Sequence, residues 1–253
     1  AVRLSEINFS GGKIEFIKDY SIRDRPETRL SEISILGKNT DGTFSLLRTI
    51  SFGEAYFLSS GTGYSKDLNR LKLTEIIEKD LQGNTNKKYG FTYIEDPMLP
   101  VRTSLAQDWW GFYNGQTGNS SLINSETITF EGYQYQVGGS NREPGSSYMQ
   151  ACILKTIKYP TGGYTEFDYE PNYYGSGLVA GGLRIKEIRD YEKTGTAPVR
   201  KIYKYGTGET GMGILLIPTD GLTSYKQTIN FTWWDEYCNA ACWGKRMVIT
   251  GRP

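Results

Sequence analysis

The sequence predicts an all-β fold: an antiparallel β-hairpin array, built as a twisted extended sheet or as two packed sheets, with an inserted aromatic-rich subdomain. Three observations predict it. Apolar and polar residues alternate on both sides of glycine-bearing turns, which is the pattern of half-buried strands. One strand–turn–strand spacing recurs along the chain, and internal repetition of this kind marks a repeated structural unit. The 253 residues include 30 glycines and 19 tyrosines, which suit many turns and many strands. Helical periodicity is scarce.

The first block, 1–93, opens with a repeat. RLSEI occurs at Arg3–Ile7 and again at Arg29–Ile33. Leu4, Ile7 and Phe9, then Gly11-Gly12, then Ile14 and Phe16 predict a first hairpin. A second set of segments keeps a stricter register. Leu30, Ile35, Gly42, Ile50 and Phe52 recur 41 positions later as Leu71, Ile76, Gly83, Phe91 and Tyr93. They recur a further 112 positions on as Leu183, Ile188, Gly195, Tyr203 and Tyr205. Asn39, Asp80 and Glu192 stand three positions before these glycines, where a residue suited to opening a turn belongs. Leu68–Glu78 has a helix-like pattern, but its alignment with the other copies predicts a strand. One hairpin buries too little apolar surface to be stable alone, so the copies are expected to lie side by side.

The second block, 151–205, holds the clearest hairpin, Ile153–Tyr169, turning at Pro160-Thr161-Gly162-Gly163. A three-residue loop Thr161-Gly162-Gly163 is expected, with Lys158 opposite Glu166, Ile157 opposite Phe167 and a glycine at positive φ. Gly162 and Gly163 are therefore the structural turn residues. Between the blocks, 94–150 reads as an insertion with short strands of its own. It contains DWWGFYNG at Asp108–Gly115 and a Gly/Ser-rich run at Val137–Ser147. The last part, 206–253, is expected to find its strand partners beyond the chain's end. All four parts read as one domain, a piece of a longer protein.

The chain carries 29 basic and 28 acidic residues, so charge gives no argument for nucleic acid or a membrane surface. No apolar run reaches the roughly 20 residues of a membrane helix. Histidine is absent, which removes His-based acid–base chemistry, Ser-His-Asp and Cys-His nucleophiles and His-ligated metals from this chain. No metal site or cofactor is expected. Cys238 and Cys242 are too few ligands for a metal on their own, and free thiols are the expectation.

The repeated unit, R-L-x-x-I, a turn glycine and an aromatic-x-Tyr strand, resembles the YD repeat of RHS proteins. Tyr191-Glu192-Lys193-Thr194-Gly195 is similar to the Y-D-x-x-G element with Glu for Asp. DWWGFYNG, KYPTGGYTEFDYEPN and GGLRIKEI together resemble the region upstream of the YD repeats in large RHS-like surface proteins of Bacteroidetes, over Arg3–Gly206. The resemblance implies a β-rich scaffold at the cell surface or outside the cell, with the remainder of its own longer chain as partner. It brings no catalytic residues.

The expected function is accordingly non-catalytic and structural. Two other readings are carried beside it. Asp108, Trp109, Trp110, Tyr113 and Asn114 form the candidate ligand-binding set, since aromatic faces stack on sugars and Asp or Asn bonds hydroxyls. A glycan is then the partner. Alternation along a strand would send Trp109 and Trp110 to opposite faces, at least one into the core. Trp233 and Trp234 repeat the pattern, with packing favoured. Glu166, Asp168, Glu170 and Asp190 are the carboxylates a glycoside hydrolase would need, although a solvated strand face looks the same. Gly138-Gly139-Ser140-Asn141-Arg142 reads as a turn that exposes Arg142 or as a loop pinned by it. Three sequons, at Asn8, Asn119 and Asn230, read as chance matches.

Overall fold

The computed structural model describes residues 4–20, 28–130, 132–214, 225–235 and 240–251. In chain order its strands are β1 (Glu6–Phe9), β2 (Gly12–Tyr20), β3 (Thr28–Lys38), β4 (Phe44–Leu58), β5 (Asn69–Lys79), β6 (Thr85–Tyr93), β7 (Glu126–Phe130), β8 (Tyr133–Val137), β9 (Leu154–Lys158), β10 (Tyr164–Tyr174), β11 (Leu178–Tyr191), β12 (Val199–Ile202), β13 (Met212–Gly213), β14 (Tyr225–Asp235) and β15 (Ala240–Gly251). Among the described residues, helix is confined to α1 (Ser65–Leu68) and two short 3-10 turns, Tyr148–Gln150 and Thr207–Glu209. The protein is all-β, and Leu68–Glu78, the stretch with a helix-like pattern, lies in strand β5 apart from Leu68, which ends α1.

Ten strands lie side by side in the order β1-β2-β3-β4-β5-β6-β9-β10-β11-β12, with β13 added against β10. The expected extended sheet is the alternative realised. Sequential strands are neighbours except where β6 is followed by β9. There the insertion leaves and returns through a backbone clasp: Ile94 N–H donates to Ile153 O at 2.9 Å and Cys152 N–H to Ile94 O at 2.7 Å.

The three aligned segments are hairpins. Lys38 pairs with Phe44 and Lys79 with Thr85, 41 positions on. Glu75↔Gly90 and Glu78↔Lys87 recur 112 positions on as Glu187↔Ile202 and Asp190↔Val199. The turns share a geometry too. Asn39 and Thr43, and Asp80 and Asn84, close the loops with N–H to O bonds of 2.8 and 3.0 Å, and Gly42, Gly83 and Gly195 have φ of 86°, 82° and 86°.

Cross-strand neighbours explain the alternation. Phe16–Ile33–Ile50 and Phe52–Ile76–Tyr89, with Phe91–Ile157, put apolar side chains on one face. Ser34, Thr49 and Thr156 are buried on the other face. Phe57 is buried in this sheet, with the Tyr93 ring edge-on at 5.0 Å.

The hairpin at Pro160 departs from the expected register. Lys158 faces Tyr164 and Ile157 faces Thr165, not Glu166 and Phe167. The loop does have three residues, but they are Pro160-Thr161-Gly162, closed by Tyr159 N–H to Gly163 O at 2.9 Å. The expected loop would have needed that bond from Pro160, which has no N–H. Gly162, at φ 91°, supplies the left-handed residue of the bulged turn.

The described residues form two compact units. One comprises those within 1–104, Gln150–Glu170 and Leu183–Lys204. Residues 94–104 belong here: Ser60 N–H donates to Leu99 O at 2.9 Å and Arg70 Nη2 to Pro100 O at 2.8 Å. The other unit comprises those within Leu105–Met149, Pro171–Gly182 and 205–253. It holds the β7–β8 hairpin, the parallel β10–β13 pair and the β14–β15 hairpin. β14 and β15 pair with each other from Tyr225↔Gly251 to Asp235↔Ala240.

Candidate functional site

The DWWG stretch is a turn, not a strand. Asp108 N–H donates to Phe112 O at 2.8 Å, Gly111 N–H donates to Asp108 O at 3.1 Å, and Gly111 has φ 90°. This is the turn of Asn39–Gly42 and Asp80–Gly83 repeated inside the insertion. The carboxylates act alike as well. Asp108 Oδ1 accepts from Trp110 and Phe112 N–H, each at 2.9 Å. Asp80 Oδ1 accepts from Gln82 and Asn84 N–H at 2.9 and 2.8 Å. The signal is present in the sequence, an Asp three positions before a Gly.

Trp109 and Trp110 occupy the two central turn positions, so strand alternation does not assign their faces. Trp110 lies on the backbone of Gly181: a Cβ there would come within 2.7 Å of Trp110 Cβ. The Trp109 ring lies under the Arg142 guanidinium, 5.2 Å from ring centroid to Cζ. Tyr113 meets Tyr148 edge-on at 5.2 Å. Asn114 is buried; its Nδ2 donates to Asn141 O and Glu143 O at 3.0 and 3.1 Å, and its Oδ1 accepts from Gln116 N–H at 3.1 Å. Trp109, Trp110 and Tyr113 are half-buried.

Of the two readings of the Gly138–Arg142 loop, the one in which Arg142 pins it is realised. Arg142 is 6% exposed. Its Nη2 donates to Asp108 O at 2.6 Å and its Nη1 to Leu122 O at 3.1 Å. Asp108 is fully buried, and its Oδ2 has no hydrogen-bond partner among the described residues. Burial raises its pKa, against the backbone donors of Phe112, Trp110 and Gly111 and the charge of Arg142. Burial lowers the Arg142 pKa, which Asp108 partly offsets. The arrangement orders the loop 108–114 and leaves Asp108 Oδ1 and the Asn114 amide spent on backbone.

The four candidate hydrolase carboxylates lie on β10 and β11, each with a basic partner. Arg189 Nη2 is 3.1 Å from Asp168 Oδ1 and 3.3 Å from Glu166 Oε2, and its Nη1 is 3.3 Å from Glu187 Oε2. Arg184 pairs with Glu170 at 2.8 Å and Lys201 with Asp190 at 2.9 Å. These side chains are not an unpaired solvated row. Hydrogen bonding to Arg200 holds the Glu187 pKa down, and bonds from Thr165 and Lys201 do the same for Asp190. Carboxylates stabilised in the charged form are poor general acids.

Among the described residues no group of three or more His, Cys, Asp or Glu is arranged to hold a metal ion, and no helix is long and apolar enough to cross a membrane. Cys152 borders a cleft of about 180 Å³ with Phe57 and Met98, and burial raises its thiol pKa. Cys238 lies outside the described residues. Cys242 and Trp233 are opposite each other in the β14–β15 ladder, and Trp234 is opposite Ala241. Asn119 of the second sequon donates to Leu105 O and Asn141 O at 3.2 and 3.0 Å. Comparison with protein-family models, curated proteins and solved structures finds no match to this chain.

Proposed function

We propose that this chain is a non-catalytic structural segment of a large secreted or cell-surface protein of the RHS-like kind, with the remainder of that protein as its partner. The observation that carries this reading is the recurrence of one hairpin in one register, Glu75↔Gly90 and Glu187↔Ile202, within a single ladder. The ion pairs add to it, because the acids of β10 and β11 are committed to cross-strand cations. Carbohydrate binding through Trp109, Trp110 and Tyr113 is the second reading. Their partial exposure favours it, and the internal engagement of Asp108 and Asn114 weighs against it.

Turnover of a panel of chromogenic glycosides tests the scaffold. Wild type is expected to show no more turnover than a Glu166→Gln, Asp168→Asn double variant. Activity that this variant abolishes while remaining folded overturns the proposal.

A further inference from the structure

The main sheet ends on two open edges, β1 and β12. The internal repeat says what each edge fits. Ile7 and Phe9 of β1 stand 150 positions before Ile157 and Tyr159 of the β9 hairpin. Gly90 and Phe91 of β6 stand 112 positions before Ile202, which ends β12, and its neighbour Tyr203. β6 and β9 pair directly, Gly90 opposite Lys158 and Phe91 opposite Ile157. The two halves of that junction therefore recur at the two edges, where among the described residues neither has a strand against its outer side.

Strand direction agrees. Neighbouring strands are antiparallel, β10 returning as β11 through a tight turn in which Gly177 N–H donates to Tyr174 O at 3.1 Å. With ten strands in line, β12 runs opposite to β1. A second copy in the same orientation thus presents its β1 antiparallel to β12. The backbone groups agree as well. Ser5 O accepts from Phe16 N–H at 2.8 Å, and Tyr203 N–H donates to Lys186 O at 3.0 Å, both toward the sheet. Hydrogen-bonding direction alternates along a strand, so the groups of Asn8 and of Ile202 point outward. Carrying the β6–β9 register over sets Ile202 opposite Asn8 and Tyr203 opposite Ile7, which makes hydrogen-bonded partners of those two outward residues.

The edges are apolar and unguarded. Ile7, Phe9, Val199, Ile202 and Tyr203 are exposed. Basic side chains commonly protect an edge strand, but those of β12 are engaged with acids of β11: Arg200 with Glu187, and Lys201 with Asp190 at 2.9 Å. We propose that a second copy of this chain docks edge to edge, its β1 pairing antiparallel with β12 in the register Ile202–Asn8 and Tyr203–Ile7. The contact repeats the β6–β9 junction between molecules. It is head to tail, so each added copy offers a new open edge and the assembly propagates. This goes beyond the scaffold proposal and fails separately from it, because it concerns only the association of this chain with itself.

Sedimentation velocity on the whole chain tests it. Mass should rise past the dimer on raising protein to roughly 0.1 mM, where an association with Kd of about 10 μM is largely complete. The Asn8 and Ile202 amides, which exchange fast in the dilute chain, should slow on association. Ile202→Pro and Asn8→Pro each remove one outward N–H and spare the inner ladder. Each variant alone should stay monomeric with an unchanged far-UV spectrum. Mixed in equal amounts, the two should form a heterodimer and nothing larger, since one keeps its β1 edge and the other its β12 edge. Disulfide trapping reads the register without proline. Ile7→Cys chains mixed with Tyr203→Cys chains should cross-link through the two introduced thiols, a non-hydrogen-bonded pair with Cα atoms about 4.5 Å apart. A wild type that stays monomeric, a folded proline variant that still associates with itself, folded variants that do not pair on mixing, or absence of that cross-link overturns the proposal.

Discussion

Gly162 has φ 91° with nothing within 4 Å of where a Cβ would stand, whereas Gly163 is not left-handed but crowded, 2.8 Å from Tyr191 O at that point. The sequence treats the pair as equivalent; their environments do not. Gly162→Val should cost roughly 1–3 kcal/mol through backbone strain, and Gly162→Asn less, since Asn tolerates the left-handed region. At Gly163, Asn should be no milder than Val, because any Cβ meets the carbonyl. Urea unfolding midpoints check this; equal effects of Asn at both sites would contradict it. Asp108→Ala removes the acceptor for two backbone N–H groups, at about 1–3 kcal/mol for each donor left buried. The pH dependence has a definite sign. The folded-state pKa of Asp108 is raised, so the stability it contributes relative to Asp108→Asn is full below the unfolded pKa and lost as pH rises through the folded one. Unfolding free energies of the two proteins across the acid range check the slope.

The β10–β11–β12 ladder behaves oppositely. Glu187 and Asp190 have lowered pKa values, from Arg200 and from Thr165 with Lys201. Their contribution is present above the ordinary carboxylate range and lost as pH falls through the depressed folded values. Arg189 joins Glu166, Asp168 and Glu187, so Arg189→Gln leaves three acids together. At neutral pH its cost should be on the order of 1–2 kcal/mol, discounted for partial exposure. The melting-temperature gap to wild type should close in acid, and a gap that persists there would assign Arg189 a packing role. At this scale the existence of the hairpins was legible in the alternation and the constant spacing. The register at Pro160 was not. A Lys–Glu cross-strand match is worth well under about 1 kcal/mol, and it gave way to a proline that cannot close the loop and a glycine that can adopt positive φ.

Across the main sheet, inner strands have partners on both sides, while β1 and β12 have one each. Amide hydrogen exchange should therefore be slowest in β3, β4 and β5 and fastest in β1 and β12, since opening free energy follows local support. Faster exchange in β4 than in β1 would contradict the strand order. The order has one break, β6 to β9, and it is where the insertion leaves.

All-β class, the hairpin copies with their glycine turns, and the place of the insertion were determined by the sequence alone, because alternation, turn chemistry and repeat spacing are local in the chain. The tertiary structure decided the rest. It brought Arg142 onto Trp109 and the Asp108 carbonyl, Gly181 under Trp110, and Arg189 between acids of β10 and β11. The sequence places Asp108 and Trp110 two positions apart but does not show Arg142 and Gly181 against them. Burial and hydrogen-bond partners come from residues tens of positions away, and no local pattern encodes which of them arrive.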